Sequence, residues 1–144
     1  MSPQQIDLVQ QSFAKVKPIA ATAAALFYER LFQMDPALRP MFRGGDMARQ
    51  GQMLMSMIGA AVAGLRNLEA LTPVVRQLGA RHAGYGVKTE HYATVGGALL
   101  WTLKQGLADD FTPETHDAWA AAYGLLSHVM QSGAMEAQQA TAIA

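Results

Sequence analysis

Apolar residues recur at three- and four-residue steps along almost the whole chain. That is the period of an α-helix with one buried face, and it confines the chain to an all-α fold. Ile6, Val9, Phe13 and Val16 mark one such face. Ile19, Ala23, Leu26, Phe27, Leu31 and Met34 mark the next, followed by Leu54, Ile58, Ala61, Val62 and Leu65. Val75, Leu78 and His82 share a fourth. Tyr92, Val95, Leu99 and Leu103 form a fifth, and Trp119, Ala122, Leu126, Val129 and Met130 a sixth. β-branched residues are scarce, and no two-residue turn is flanked by alternating runs, so nothing reads as strand.

Breakers and caps divide these faces. Ser2-Pro3 and Thr112-Pro113-Glu114 pair a capping side chain with proline at the first helical position. Pro18 predicts the start of the second helix. "DPALRPMF" holds two prolines, which permit only a short turn of helix before Phe42. "RGGD" reads as a loop, and helix resumes near Met47. "NLEALTP" predicts a turn, Thr89 a cap, and Gly84 with Gly86 a helix end. Gly133 predicts the last stop, leaving the Ala/Gln-rich tail to extend the helix or fray. The outcome is six to eight helices in a single domain over residues 1–144, a length that suits one core.

Composition removes several functions. Eleven basic and eleven acidic residues give zero net charge, which argues against a nucleic-acid footprint. Cysteine is absent, excluding disulfides, thiolate metal sites, iron–sulfur clusters and covalent haem attachment. The start lacks a basic segment followed by an apolar run, so no secretory signal is read. The longest apolar run, "MIGAAVAGL", falls short of the roughly 20 residues a membrane span needs. A cytoplasmic location is the default expectation. Dinucleotide, P-loop, zinc-protease and nucleophile-elbow motifs are all missing.

Four positions stand out. His82 follows Val75 and Leu78 on one helix face, so its imidazole points inward and needs a partner. Such a histidine is more often a satisfied core residue than a ligand. A metal already held by four macrocycle nitrogens, however, needs only one more. Gln50 shares a face with Leu54 and Ile58, where the bland alternative is a rim glutamine. Gly51 costs about 1 kcal/mol relative to alanine inside a helix, which predicts close approach of another backbone, with "AATAAALF" the candidate. Tyr28 sits among apolar residues, where the alternative is a core tyrosine bonded to backbone. His91, His116 and His128 lack metal-ligand spacing and read as surface or capping residues. Met47, Met53, Met55 and Met57 point several ways and are mostly packing, though one near a metal could ligate it.

Together, "PALRPMF", "LGARHAGYGV", "EHYATVGGALLWTLKQGL" and "FTPETHDAWAAAYGLLSHVM" resemble a globin over about residues 3–132. The likeness is to bacterial single-domain haemoglobins, to the globin domain of flavohaemoglobins, and to neuroglobin-like globins. It implies a globin fold of helices around a pocket for non-covalent haem b (iron protoporphyrin IX). His82 would be the iron ligand and Phe42 the ring stacked on haem. Tyr28 and Gln50 would be distal donors, and a one-residue shift of register would put Arg49 in the place of Gln50. Leu54 would lie over the iron, Gly51 would cross Ala24, and Val87, Tyr92 and Val95 would line the cofactor.

The resemblance implies reversible binding of O2, or of NO or CO, for storage, delivery or scavenging, with Tyr28 and Gln50 slowing oxygen release. The alternatives are a nitric oxide dioxygenase working with a separate reductase, and a haem-based gas sensor or haem-free helical module. In flavohaemoglobins a tyrosine and a glutamate stand behind the proximal histidine. Tyr92 matches the tyrosine. The glutamate's place falls near Ala134, and Glu136, about 200° further round the helix, faces elsewhere. A backbone carbonyl one turn before His82 is therefore the expected partner of its second ring nitrogen. The sixth iron position is expected to be open or water-bound, with Met53 or Tyr28 as alternatives.

Overall fold

A computed structural model describes residues 1–42 and 45–143, with side chains through residue 139. Arg43 and Gly44 of the expected "RGGD" loop lie outside the described residues. Gly45 and Asp46, which complete it, are non-helical. Six α-helices are present among the described residues: α1 (Pro3–Val16), α2 (Ala20–Met34), α3 (Met47–Ala63), α4 (Leu68–Gly84), α5 (Thr89–Leu107) and α6 (Pro113–Ile143). No described residue is in a strand.

Local chemistry fixes the starts. Ser2 Oγ accepts the Gln5 N–H at 3.1 Å, while Gln5 Oε1 accepts the Ser2 N–H at 3.0 Å, a reciprocal capping box. Asp46 Oδ1 accepts from Ala48 at 3.0 Å to open α3. Thr112 Oγ1 accepts from Thr115 at 3.2 Å to open α6. Pro36–Phe42 forms one short 3-10 segment, the limit its two prolines allow.

Four boundaries differ from the sequence reading. Pro18 lies in a 3-10 turn (Lys17–Ile19), and α2 starts at Ala20, because the Ala20 N–H bonds three residues back to Lys17. "NLEALTP" is helix rather than turn. Asn67 caps Ala70 at 3.4 Å, and Pro73 sits early in α4, where it removes a single ladder bond. Thr89 is the first residue of α5, not its cap. The cap is made instead by His91, whose Nδ1 accepts the Lys88 N–H at 2.9 Å. Gly133 does not stop α6, which runs on to Ile143; it is buried mid-helix against α4.

The main core joins Val9, Phe13 and Val16 of α1 to Leu103 and Leu107 of α5 and Trp119 of α6. Trp119 Nε1 donates to Ser12 Oγ at 2.8 Å, so the buried indole N–H is satisfied. A second cluster gathers Phe27, Tyr28, Leu31 and Phe32 of α2 with Leu38 and Ala98. α3 packs on α2 and α1. α4 packs on α6, and no extensive interface joins α3 to α4. No described helix is long and apolar enough to cross a membrane.

Candidate functional site

The second cluster brings four of the singled-out residues together. Phe42 ends the proline-bounded turn and packs edge-on against Tyr28, with ring centroids 5.3 Å apart, and against Phe32 at 5.5 Å. Leu54 of α3 and Val95 of α5 pack onto the same group. The short proline-bearing turn packs on α2 and ends at Phe42.

Tyr28 is buried at 7% exposure. Burial raises its pKa above the usual phenol value, and a hydrogen bond from the Gln50 side chain acts in the opposite direction. The two polar groups read from the sequence as distal donors are therefore in contact with each other. Gly51 explains how. A Cβ added there would lie 2.9 Å from the Ala24 Cβ, tighter than real contacts allow. The missing side chain lets α3 cross α2 closely, as the sequence predicted, and this holds Gln50 beside Tyr28.

Behind Leu54 is a cavity of about 20 Å³, bordered by Phe13, Phe27, Ile58, Leu103 and Trp119 among others. Thr102 also lines it, but its hydroxyl donates to the Ala98 carbonyl at 2.8 Å. With no polar group left to offer, a void of this size stays dry.

His82 sits half-buried near the end of α4. Its Nδ1 lies 2.8 Å from the Leu78 carbonyl, one turn earlier. A carbonyl only accepts, so Nδ1 carries the proton and Nε2 keeps its lone pair. This is the tautomer that metal ligation through Nε2 requires. The carbonyl partner is the one anticipated. Glu136, by contrast, lies 3.8 Å from Arg76 in an exposed pair. Val87 closes the segment after the helix, its N–H donating to the His82 carbonyl at 3.1 Å; Gly86 makes the turn at φ +87°.

Tyr92 is buried on α5. Its carbonyl accepts the Tyr123 hydroxyl at 2.6 Å, yet its own hydroxyl is buried without a partner, and so makes no hydrogen bond to His82. Neither His82, Val87 nor Tyr92 belongs to the aromatic cluster around Tyr28 and Phe42. The structure thus divides the singled-out residues between an α2–α3 side and an α4 side.

Two α3 methionines that the sequence reading took mostly as packing are instead exposed. Met53 and Met57 are 57% and 39% exposed, though apolar. Met57 is seven residues beyond Gln50, on the same flank of the helix. Extending the Gln50 stripe by two turns would have found it. Exposed apolar side chains beside buried polar ones mark a surface meant to be covered.

These features fit a planar, apolar, metal-bearing group. A single imidazole nitrogen is left free, apolar side chains are uncovered, and a buried hydroxyl is orphaned on Tyr92. No group of three or more His, Cys, Asp or Glu that could hold a metal by itself occurs among the described residues.

Comparison with known proteins gives consistent results. The family model described as Globin matches residues 25–130. A flavohemoprotein of Bacillus subtilis is 33% identical over 124 residues, which is 85% of this chain and 31% of that protein. A flavohemoprotein of Bordetella parapertussis is 33% identical over 132 residues, 90% of this chain and 33% of that protein. The chain therefore spans about a third of the length of these relatives. A solved structure titled an engineered carbene transferase, a putative nitric oxide dioxygenase from Rhodothermus marinus, superposes with a TM-score of 0.83 at 28% identity. That match covers 99% of this chain and 97% of the other.

Proposed function

Because this chain belongs to the globin family, we propose that it is a haem protein that binds a diatomic gas reversibly. The observation that carries this reading is the His82 tautomer: Nδ1 is committed to the Leu78 carbonyl at 2.8 Å, and Nε2 is left as a bare donor on a half-buried ring. His82 would hold the iron of non-covalent haem b, and Phe42, Leu54, Val87 and Val95 would line the macrocycle. Met53 and Met57 would be covered by it.

When bound, haem supplies an iron with one face free for a gas ligand. The protein's part is to orient and to exclude. Leu78 holds the imidazole ring in one orientation. Tyr28 and Gln50 present donors to a gas that carries partial negative charge. A hydrogen bond to a charged acceptor contributes about 1.5–3 kcal/mol. Burial keeps the Tyr28 phenol protonated, so it remains a donor at neutral pH. The dry cavity behind Leu54 excludes water from that side. O2 is the ligand these donors suit best, since CO carries less charge to stabilise. α3 carries no histidine and has Gln50 beside Tyr28, so no imidazole from that helix would compete with a gas for the iron.

A second reading is a nitric oxide dioxygenase, favoured by the Rhodothermus marinus neighbour. It needs electrons from a flavin-bearing reductase, which residues 1–144 do not themselves provide. A carboxylate behind His82 would favour it further, but Glu136 is engaged with Arg76. We therefore place gas binding first, in the cytoplasm, with a reductase as partner only for the second activity.

One set of absorption spectra tests both. Purified protein loaded with haem is expected to show a five-coordinate ferrous spectrum that converts on adding O2 and reverses on its removal. A protein that takes up no haem, or whose ferrous form ignores O2 and CO, overturns the first reading. Rapid conversion of NO to nitrate with an added flavin reductase would favour the second.

A further inference from the structure

α4 and α6 touch backbone to backbone at two glycines. A Cβ added at Gly79 would overlap the Met130 carbonyl, and one added at Gly133 would overlap the Arg76 carbonyl. The relation is reciprocal. Arg76 and Gly79 are three residues apart on one helix, and Met130 and Gly133 three apart on the other. Each glycine receives the main chain of the opposite helix. The order runs in opposite senses along the two helices, so they cross antiparallel.

This crossing lies one peptide away from the site. The carbonyl that accepts the His82 Nδ1 proton belongs to Leu78, and so to the peptide unit joining Leu78 to Gly79. That same peptide unit is held against α6. Other holds on the ring are weak. The Tyr92 hydroxyl has no partner, Glu136 is paired with Arg76, and Tyr85, whose ring lies 6.3 Å away, is 71% exposed.

We propose that Gly79 and Gly133 are positioning residues for His82. Their contact pins the Leu78–Gly79 peptide, and with it the direction in which the imidazole presents Nε2. A glycine crossing thus performs here the orienting that a side-chain carboxylate would otherwise perform. The inference rests on the reading of His82 as iron ligand, but the crossing itself exists without any cofactor.

The haem-free protein provides the first test. Nitrogen NMR of the wild-type His82 side chain should show one ring orientation, with a slowly exchanging proton on Nδ1. A rotationally averaged ring with a freely exchanging proton overturns the proposal, whatever becomes of any variant. The second test uses haem-loaded protein and the ferrous iron–histidine stretching frequency. Gly79→Ala and Gly133→Ala should each shift or broaden that band. Gly84→Ala on α4 and Gly124→Ala on α6 should not, since a Cβ at either meets nothing within 4 Å. An unchanged band in both crossing variants, or equal shifts in the controls, overturns the proposal. If wild-type protein takes up no haem, the ligand reading fails, and the haem-free measurement still decides the crossing.

Discussion

Gln50 on α3 stands beside the buried Tyr28 on α2, close enough for its side chain to oppose the rise in the phenol pKa that burial causes. A gas ligand accepting from both must share them. Tyr28→Phe should speed oxygen release by about tenfold or more, given about 1.5–3 kcal/mol for the bond and 1.4 kcal/mol per tenfold change. Gln50→Leu should also speed it. The double variant should fall short of the product of the two, because groups in contact couple by about 0.5–3 kcal/mol. Stopped-flow oxygen displacement measures all three rates, and multiplicative effects would mean the two side chains act independently.

The free Nε2 of His82 makes a second prediction. His82→Ala should abolish the five-coordinate ferrous spectrum while leaving the helical circular dichroism intact. Imidazole added to the variant should restore the spectrum by occupying the vacated place. Unaltered ligation in His82→Ala would remove this residue from the site.

Helix crossing at Gly51 gives a stability prediction. Gly51→Ala gains about 1 kcal/mol of helix propensity but forces a Cβ to within 2.9 Å of the Ala24 Cβ. Overpacking of this kind costs about 1–3 kcal/mol. A net loss in urea unfolding is expected, together with faster oxygen release as Gln50 moves from Tyr28. Adding Ala24→Gly should relieve the clash and restore the release rate. A Gly51→Ala protein as stable as wild type, with wild-type kinetics, would show that the crossing tolerates a methyl group.

Three tyrosines set the alkaline limit. Burial raises Tyr28, Tyr92 and Tyr123, and the neighbouring Tyr92 raises Tyr123 further. Unfolded phenols ionise near pH 10, about where folded ones are still protonated. The stability this represents is fully present below about pH 10 and is lost as pH rises through the folded values. Each group adds up to about 1.4 kcal/mol per pH unit to the decline. Urea midpoints should be flat from pH 7 to about 9 and fall steeply beyond 10 on this account. Tyr123→Phe, which also removes the bond to the Tyr92 carbonyl, should make that fall shallower. A midpoint that does not change at high pH would contradict the burial of these phenols.

Much of the site could be read from residue spacing. Val75, Leu78 and His82 lie one turn apart, and helical geometry alone puts them on one face. The close approach of Gly51 to Ala24 was visible as a glycine tolerated in a helix beside an alanine-rich one. Met57 was read as mostly packing because a methionine in an apolar helix usually packs, whereas it is exposed on the flank it shares with Gln50. Pro73 was misread because proline usually breaks a helix, whereas Asn67 caps α4 six residues earlier and the helix runs through the proline.

Local pattern fixed most of the helical segments and most of the faces they bury, Ile19 and Met34 being exposed exceptions, and that a lone inward histidine required an acceptor on one nitrogen. These follow from chain periodicity and backbone geometry within one or two turns. Tertiary packing decided the rest. Gly133 reads as a helix stop from its neighbours, yet α6 continues because its bare backbone is filled by Arg76 of α4, 57 positions away. Likewise the pairing of Tyr28 with Gln50 depends on how closely two helices cross. A glycine breaks a helix or admits a neighbour according to what stands opposite it, and a sequence read along the chain does not contain that opposite side.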